Sequence, residues 1–194
     1  NELNLPFVVH GRSTKSNEVY NWVDVNNESA FFRATEFLID LGHRSIALLN
    51  GMADLDFAIR RTKGYERALS KHQIDLVSDY ILYGEMTEPY GYRSTIALLD
   101  RPSPPTAIIA SSILVANGVR RGVEELGLKM GRDISILSHD DDLSYFRDES
   151  DVPVYSVTRS SVREAGYKSA DLLIKTIEDP TRQCEGILIE ADLM

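Results

Sequence analysis

Residues 37–69 read FLIDLGHRSIALLNGMADLDFAIRRTKGYERAL. They divide into three pieces. An amphipathic stretch stops at Gly42, a residue that takes the left-handed C-cap conformation at little steric cost. Residues 46–49 are apolar on both faces, as a parallel strand covered by helices on either side should be. After the turn Asn50-Gly51, the spacing predicts a second helix over 56–71 that carries Arg60, Arg61, Gly64 and Tyr65. The unit is helix–strand–helix. In open parallel sheets ligands bind beyond the carboxyl ends of the strands. The turn after Leu49, with Arg61 just downstream, is therefore the first place to look for function.

The same alternation continues outward. Upstream, Ala30, Phe31, Ala34, Phe37, Leu38 and Leu41 recur at spacings of three and four. They predict a helix opened by Asn26 or Asn27 as N-cap, with Glu28 well placed in the first turn. Further upstream, 6–9 is a short apolar run that reads as a strand ending at His10-Gly11-Arg12; 13–20 is a polar loop and 22–25 a buried connector. Downstream, strands are predicted at 80–83, 107–110, 134–137, 154–157 and 186–189. Helices are predicted from Pro89, with Tyr92, Thr95, Ile96 and Leu99 inward, over 112–126, and over 161–177, with Val162, Gly166, Ala170, Leu173 and Ile177 inward. Residues 143–152 read as an exposed acidic loop. The alternation argues for an α/β fold with a mainly parallel sheet.

Composition narrows the function. The 194 residues suffice for one large domain or two small lobes. Acidic residues number 30 against 21 basic ones, a net charge of −9, so the chain itself is not expected to grip nucleic acid. The single cysteine, Cys184, excludes an internal disulfide and fits a reducing, cytoplasmic compartment. No apolar run is long enough to span a membrane, and no signal peptide is visible. Residue 1 is Asn rather than Met, so the natural N-terminus is expected to be missing.

Two side chains carry candidate chemistry. Arg61 lies near Arg60 and Lys63 in the first turns of its helix, where the dipole disfavours cations. Asp54 and Asp56 could offset them at the surface. Alternatively, Arg61 reaches into a cleft and offers ligand oxygens its planar fork of donors; its loss is then expected to weaken binding while sparing the fold. Asp140 ends a buried strand, where a carboxylate accepts from two neighbouring hydroxyls. The run His139-Asp140-Asp141-Asp142 is not expected to hold a metal, because consecutive residues cannot all face one ion. Asp141 and Asp142 read as structural or exposed. Adjacent aspartates are not an acid/base pair placed across a substrate, and no nucleophile elbow, phosphate loop or dinucleotide fingerprint occurs. No enzymatic activity and no cofactor are expected.

Five motifs in order then identify a resemblance. Leu41-Gly42-His43-Arg44 with Ile46-Ala47 and Gly51, Arg61-x-x-Gly64-Tyr65-x-x-Ala68-Leu69, Pro105-Thr106-Ala107, Asp133-Ile134-Ser135-Ile136 with Asp140-Asp141, and the end of the core around 154–157 with Ala165-Gly166 resemble the effector-binding core of LacI/GalR-family transcriptional regulators. The resemblance implies periplasmic-binding-protein type I architecture: two Rossmann-like, parallel-sheet lobes joined by three crossovers, with effector between them. It puts 1–24 and 157–182 in an incomplete N-terminal lobe, and 25–156 with 183–194 in the C-terminal lobe. It also implies a homodimer, a small-molecule effector of carbohydrate class, and operator DNA bound by a helix-turn-helix domain absent from this chain. Arg61 and Asp140 match effector ligands, and His10 and Arg12 would face the cleft from the other lobe. Three positions depart from the pattern or lie beside a change in it. Ser111-Ser112 replaces Asn-Asp after the strand at 107–110, leaving Ser111 as the hydrogen-bonding group. Met86 stands where relatives place an aromatic, a softer wall. Arg159 falls at a cleft position beside a one-residue insertion. The alternative reading is a periplasmic sugar-binding protein of an uptake system.

Overall fold

The computed structural model describes residues 5–13, 19–140 and 154–194. The expectations for Asp141, Asp142 and 143–152, and for most of the 13–20 loop, fall on residues outside that set.

The described chain forms two sheets. The smaller has the order β1-β2-β8, built from β1 (Val8–His10), β2 (Asn21–Val25) and β8 (Gly186–Ile189), all parallel. The larger has the order β4-β3-β5-β6-β7-β9. Its strands are β3 (Ile46–Asn50), β4 (Ile81–Tyr83), β5 (Ala107–Ala110), β6 (Ser135–Asp140), β7 (Ser156–Arg159) and β9 (Asp192–Leu193). All its pairings are parallel except β7–β9. The helices are α1 (Asn27–Asp40), α2 (Asp56–Lys71), α3 (Glu88–Leu99), α4 (Ile113–Glu125) and α5 (Val162–Glu178). The chain passes between the sheets three times: from β2 into α1 and β3, from β7 through α5 to β8, and from β8 to β9.

Both faces of the larger sheet are covered, which explains its continuous apolar strands. Leu48, Ile109 and Leu137 pack with Phe31, Leu38 and Tyr65 of α1 and α2. Ala47, Leu49, Ile108 and Ile136 pack with Leu98, Val115 and Val119 of α3 and α4. Each helix pair meets at glycine. A Cβ on Gly64 would stand 2.9 Å from Phe32 N and closer still to the Glu28 carbonyl oxygen; one on Gly118 would stand 2.7 Å from Tyr92 N. Caps follow the sequence: Asn26 Oδ1 accepts from Ser29 N ahead of α1, and Thr87, Ser112 and Ser161 hydroxyls cap α3, α4 and α5.

Several expectations shift. Residues 22–25, read as a connector, belong to β2, the central strand of the smaller sheet. Its polar members are buried with partners: Asn21 Nδ2 donates to the Thr176 hydroxyl and Asn21 Oδ1 accepts from Glu185 N. That anchoring brings β8 alongside β2, so residues 183–194 divide, β8 joining the smaller sheet and β9 the larger. The strand expected at 154–157 lies two residues later, so β7 stays in the larger sheet up to Arg159. The inward stripe of α5 is Ala165, Ser169, Leu172 and Thr176, not the expected one; Val162 and Ile177 are exposed. The Ser169 and Thr176 hydroxyls donate back to the carbonyls of Ala165 and Leu172, which lets polar residues face β1 and β2. On α3 the buried residues are Gly91, Ser94, Thr95 and Leu98, because Gly91 sits where α3 meets the backbone of Val115.

Candidate functional site

Parallel strands end on a common edge, so the sequence delivers Asn50, Ser111, Asp140 and Arg159 to the carboxyl edge of the larger sheet. The three passages between the sheets run close by. Asn26 N donates to Ile189 O (2.8 Å), Asn26 Nδ2 to Glu190 Oε1 (2.6 Å) and Arg33 Nη1 to Ala191 O (2.8 Å). Ser160 N donates to Asp140 O (3.0 Å). These bonds tie the start of α1, the end of β8 and the end of β7 to the edge where the candidate residues sit.

Arg61 is buried, with 6% of its surface exposed. Its Nε donates to Asn27 Oδ1 (2.7 Å) and its Nη1 to the carbonyl oxygen of Ser111 (2.9 Å). Asn27 is fixed in turn by Nδ2 donating to Val25 O (3.1 Å). The guanidinium carbon lies 4.8 Å from the ring centroids of both Phe31 and Phe57. A planar cation between two rings keeps its orientation and gains cation–π attraction. The family of contacts links α1, α2 and β5 through one side chain. Arg61 is thus buried rather than held at the surface, while Arg60 lies near Asp56 (3.8 Å).

Asp140 and Arg159 are opposed residues on β6 and β7. Arg159 Nε and Nη2 both reach Asp140 Oδ2, at 2.9 and 2.8 Å. The parallel register of β6 and β7 sets this pairing. Next to Asp140, His139 is 2% exposed, its Nδ1 3.0 Å from the Thr158 hydroxyl, and its ring 6.0 Å from that of Phe31. Phe31 therefore touches both the Arg61 cation and the end of β6. No group of three or more metal-ligating side chains occurs among the described residues.

Ser111 is 1% exposed and its Oγ has no hydrogen-bond partner among the described residues. Asn50 is fully buried; its Nδ2 donates to Ala58 O (2.8 Å) and Thr62 Oγ1 (3.1 Å), and its Oδ1 accepts from Gly51 N (2.8 Å). These bonds hold the turn after β3 and the start of α2, and so the base of Arg61. Tyr90 lies nearby, its ring against Gly84, and burial pushes its phenol above the usual range, keeping it neutral. Met86 packs partly buried into the core beneath α3 and α4.

His10 and Arg12 lie apart from this group, on the smaller sheet. Both line a cavity of about 380 Å³ with Phe7, Val9 and Tyr20. Arg12 Nε pairs with Asp24 Oδ2 (2.9 Å), and its guanidinium covers the Trp22 ring at 4.7 Å. A second cavity of about 290 Å³ is lined by Arg12, Trp22 and Cys184 and also by Arg60 of α2, so it opens between the two sheets.

Sequence reasoning missed Asn27, Asn50, Phe31, Phe57 and Asp24. Asn50 had a visible signal: it is a polar residue closing the otherwise apolar β3. Phe31 read simply as core, and nothing local marks Asn27 or Phe57 as partners of a residue more distant in the chain.

The comparisons with known proteins agree with the fold. The family described as "Periplasmic binding protein-like domain" matches residues 35–194. The "HTH-type transcriptional regulator AglR" of Rhizobium meliloti (strain 1021) is 43% identical over 192 residues, which cover 99% of this chain and 54% of that protein. A solved regulatory protein of LacI family from Chloroflexus aggregans has a TM-score of 0.87 and 32% identity, covering 99% of this chain and 68% of its own. The structure titled "transcriptional regulator CelR-cellobiose complex" has a TM-score of 0.88 and 27% identity, covering 97% of this chain and 57% of that one. The chain spans about half the length of the curated relatives it matches.

Proposed function

Since this chain belongs to the LacI family of transcriptional regulators and carries its periplasmic-binding-protein-like domain, we propose that it is the effector-binding and dimerisation core of a sugar-responsive repressor. The smaller sheet with α5 belongs to one lobe and the larger sheet with α1–α4 to the other. The observation that carries the reading is the meeting of a clamped guanidinium and a strand-end carboxylate at one sheet edge, beside all three passages between the sheets.

In this reading the effector lies in the cleft between the lobes. From the larger lobe Arg61 donates to its oxygens, Asp140 accepts from its hydroxyls, and the buried Ser111 Oγ supplies a further polar contact. Arg159 shares Asp140 with the ligand, Met86 bounds the wall, and Arg12 and His10 close from the smaller lobe. Effector that binds one inter-lobe angle more tightly shifts the population toward it; only such differential affinity can move the equilibrium. Dimeric cores then re-space helix-turn-helix segments on operator DNA. The acidic charge here is in keeping with DNA contact being made elsewhere. The protein acts by binding rather than turnover, in the cytoplasm; no helix among the described residues is long and apolar enough to cross a membrane. That the matched relatives are regulators, one in complex with cellobiose, supports this over an uptake protein.

The test is selection of duplexes from a random DNA pool by the full-length protein, with and without glucose, ribose or cellobiose. The expected result is one preferred inverted repeat whose affinity changes at least about ten-fold, about 1.4 kcal/mol, with one sugar. Failure to select any sequence, or a selected duplex indifferent to every sugar, refutes the proposal.

A further inference from the structure

We propose that Arg60 is a cross-lobe latch: as the lobes close, its guanidinium bonds to the Glu185 carboxylate across the cavity between α2 and the start of β8. The inference rests on the reading of the chain as a two-lobed effector core. It adds the residue through which an event at Arg61 is registered by the smaller lobe.

Three observations converge on this pair. First, the donors of Arg60 are unengaged. Its side chain is only 14% exposed, yet among the described residues its guanidinium makes no hydrogen bond, and its ion contact with Asp56, at 3.8 Å, is too long to be one. A guanidinium carries N–H donors in a fixed fork, and leaving them without acceptors in a largely desolvated position costs free energy. Second, those donors adjoin a gap between the lobes. Arg60 lines the cavity of about 290 Å³ whose other walls include Arg12, Tyr20, Trp22, Cys184 and Glu185. Arg61, Ser111 and Asp140 are not among its walls, so it is separate from the candidate effector groups. Third, Glu185 is the one acidic residue in that lining. Its Oε2 accepts from Arg182 Nη2 (2.5 Å), its side chain stays 44% exposed, and Oε1 is left for a second donor. Arg12, the other cation of the wall, is already paired with Asp24 at 2.9 Å and covers the Trp22 ring.

Both ends of the latch have firm mounts. Glu185 N donates to Asn21 Oδ1 (2.7 Å) and Glu185 O accepts from Trp22 N (3.1 Å), which fixes this residue to β2. Arg60 precedes Arg61 on α2, and consecutive helical residues point about 100° apart. One rigid helix thus holds Arg61 against the Ser111 carbonyl and Arg60 against the gap. A movement of α2 drawn by effector at Arg61 carries Arg60 with it. Closure expels solvent from the gap, and an ion pair strengthens as the surrounding dielectric falls. The pair forms in one inter-lobe state and not in the other, which is what an interaction must do to favour that state.

The experiment uses full-length protein and two readouts. The first is cross-linking. Arg60→Cys is oxidised with copper–phenanthroline, with and without glucose, ribose or cellobiose. The controls are Arg60→Cys combined with Cys184→Ser, and Lys63→Cys on the exposed side of α2. Cys184 is the one cysteine of this chain and lines the cavity, and a disulfide forms only when the two Cα atoms come within about 7 Å. The expected result is an intramolecular bond to Cys184 in Arg60→Cys and in neither control, formed at least about five-fold faster with a sugar that the parent binds. No bond, a bond formed at the rate of Lys63→Cys, or no acceleration by a bound sugar overturns the latch. The second readout is sugar affinity by calorimetry for Arg60→Ala, Glu185→Ala and the double variant, with circular dichroism confirming each fold. Each single change should weaken binding about five-fold, and the double variant should fall within about two-fold of either single one. Losses that multiply, or unchanged affinity in both single variants, overturn the latch and leave the regulator reading intact. A parent that binds none of the sugars overturns the carbohydrate reading instead; the latch is then decided by oxidation alone, where absence of the bond to Cys184 refutes it.

Discussion

Gly64→Ala and Gly166→Ala are the same chemical change on two helix interiors, and the structure predicts opposite signs. In an exposed helix Ala is better than Gly by about 1 kcal/mol. Gly166 on α5 has open space where its Cβ would go, so that gain should appear nearly whole, at about 0.5–1 kcal/mol. At Gly64 the added methyl meets backbone: 2.9 Å from Phe32 N, and closer to the Glu28 carbonyl oxygen. Neither atom can rotate aside, so α1 and α2 must part by about 0.5 Å or more. A gap of that size forfeits about a quarter of each contact energy. A buried Leu-sized side chain makes some 40–60 contacts of about 0.1–0.2 kcal/mol, so even one such neighbour loses about 1–3 kcal/mol. Several line this interface, among them Phe31, Leu38 and Tyr65. Overpacking of roughly 3 kcal/mol against a propensity gain of about 1 leaves Gly64→Ala less stable by about 2 kcal/mol. Urea unfolding at equilibrium measures both, the midpoints being comparable if the slope is unchanged. A Gly64→Ala protein as stable as its parent, or both variants shifting in one direction, refutes the close-packing argument.

Arg61→Met removes two bonds from a charged donor and strands Asn27 Oδ1 and the Ser111 carbonyl; partly offset by relief of the buried charge, the expected loss is about 3 kcal/mol in urea unfolding, and a change under 0.5 would sink the clamp. Asp140→Asn should weaken binding of the cognate sugar by about 1.5–3 kcal/mol in calorimetry, and unchanged affinity would remove Asp140 from the site. His43 sits partly buried between the Thr106 and Ser135 hydroxyls, at 2.8 and 2.9 Å, and burial lowers its pKa. As pH falls below about 6.5 the unfolded chain takes up this proton first. The stability His43 contributes is therefore complete above that pH and lost beneath it. Urea midpoints at pH 7 and pH 5 should converge on those of His43→Gln at the acid end, and a parallel profile in parent and variant would contradict the assignment.

The larger sheet was legible because its strands are short apolar runs closed by turn residues, and because Gly42 and Pro105 punctuate them. The smaller sheet was not. Asn21 and Asp24 break the apolar pattern of β2, and Thr176, Glu185 and Arg12, all distant in sequence, make their burial tolerable. Helix α5 misled for the same reason: its inward stripe contains Ser169 and Thr176, whose hydroxyls are satisfied by their own helix. At the candidate site the end of each strand could be read, but side-chain partnership could not. Arg61 was expected as a free ligand arm, with a fold indifferent to its loss. Its contacts with Asn27 and Ser111, 34 and 50 residues away in the chain, make it a structural clamp as well. The pairing of Arg159 with Asp140 follows from the register of β6 and β7, which no local pattern discloses.

Backbone contact between α1 and α2 also bears on how a displacement travels. Two helices separated by a layer of side chains form a compliant joint, because rotamers absorb a few tenths of an ångström before the neighbouring backbone responds. At Gly64 that layer is missing, and α2 rests on the carbonyl of Glu28, one residue beyond Asn27 and two beyond Asn26. Asn26 is bonded to the end of β8, where the chain passes between the sheets. A push delivered at Arg61 therefore reaches that passage through a stiff linkage with no slack to take up. A glycine, by contributing nothing of its own, makes the pair behave as a single lever.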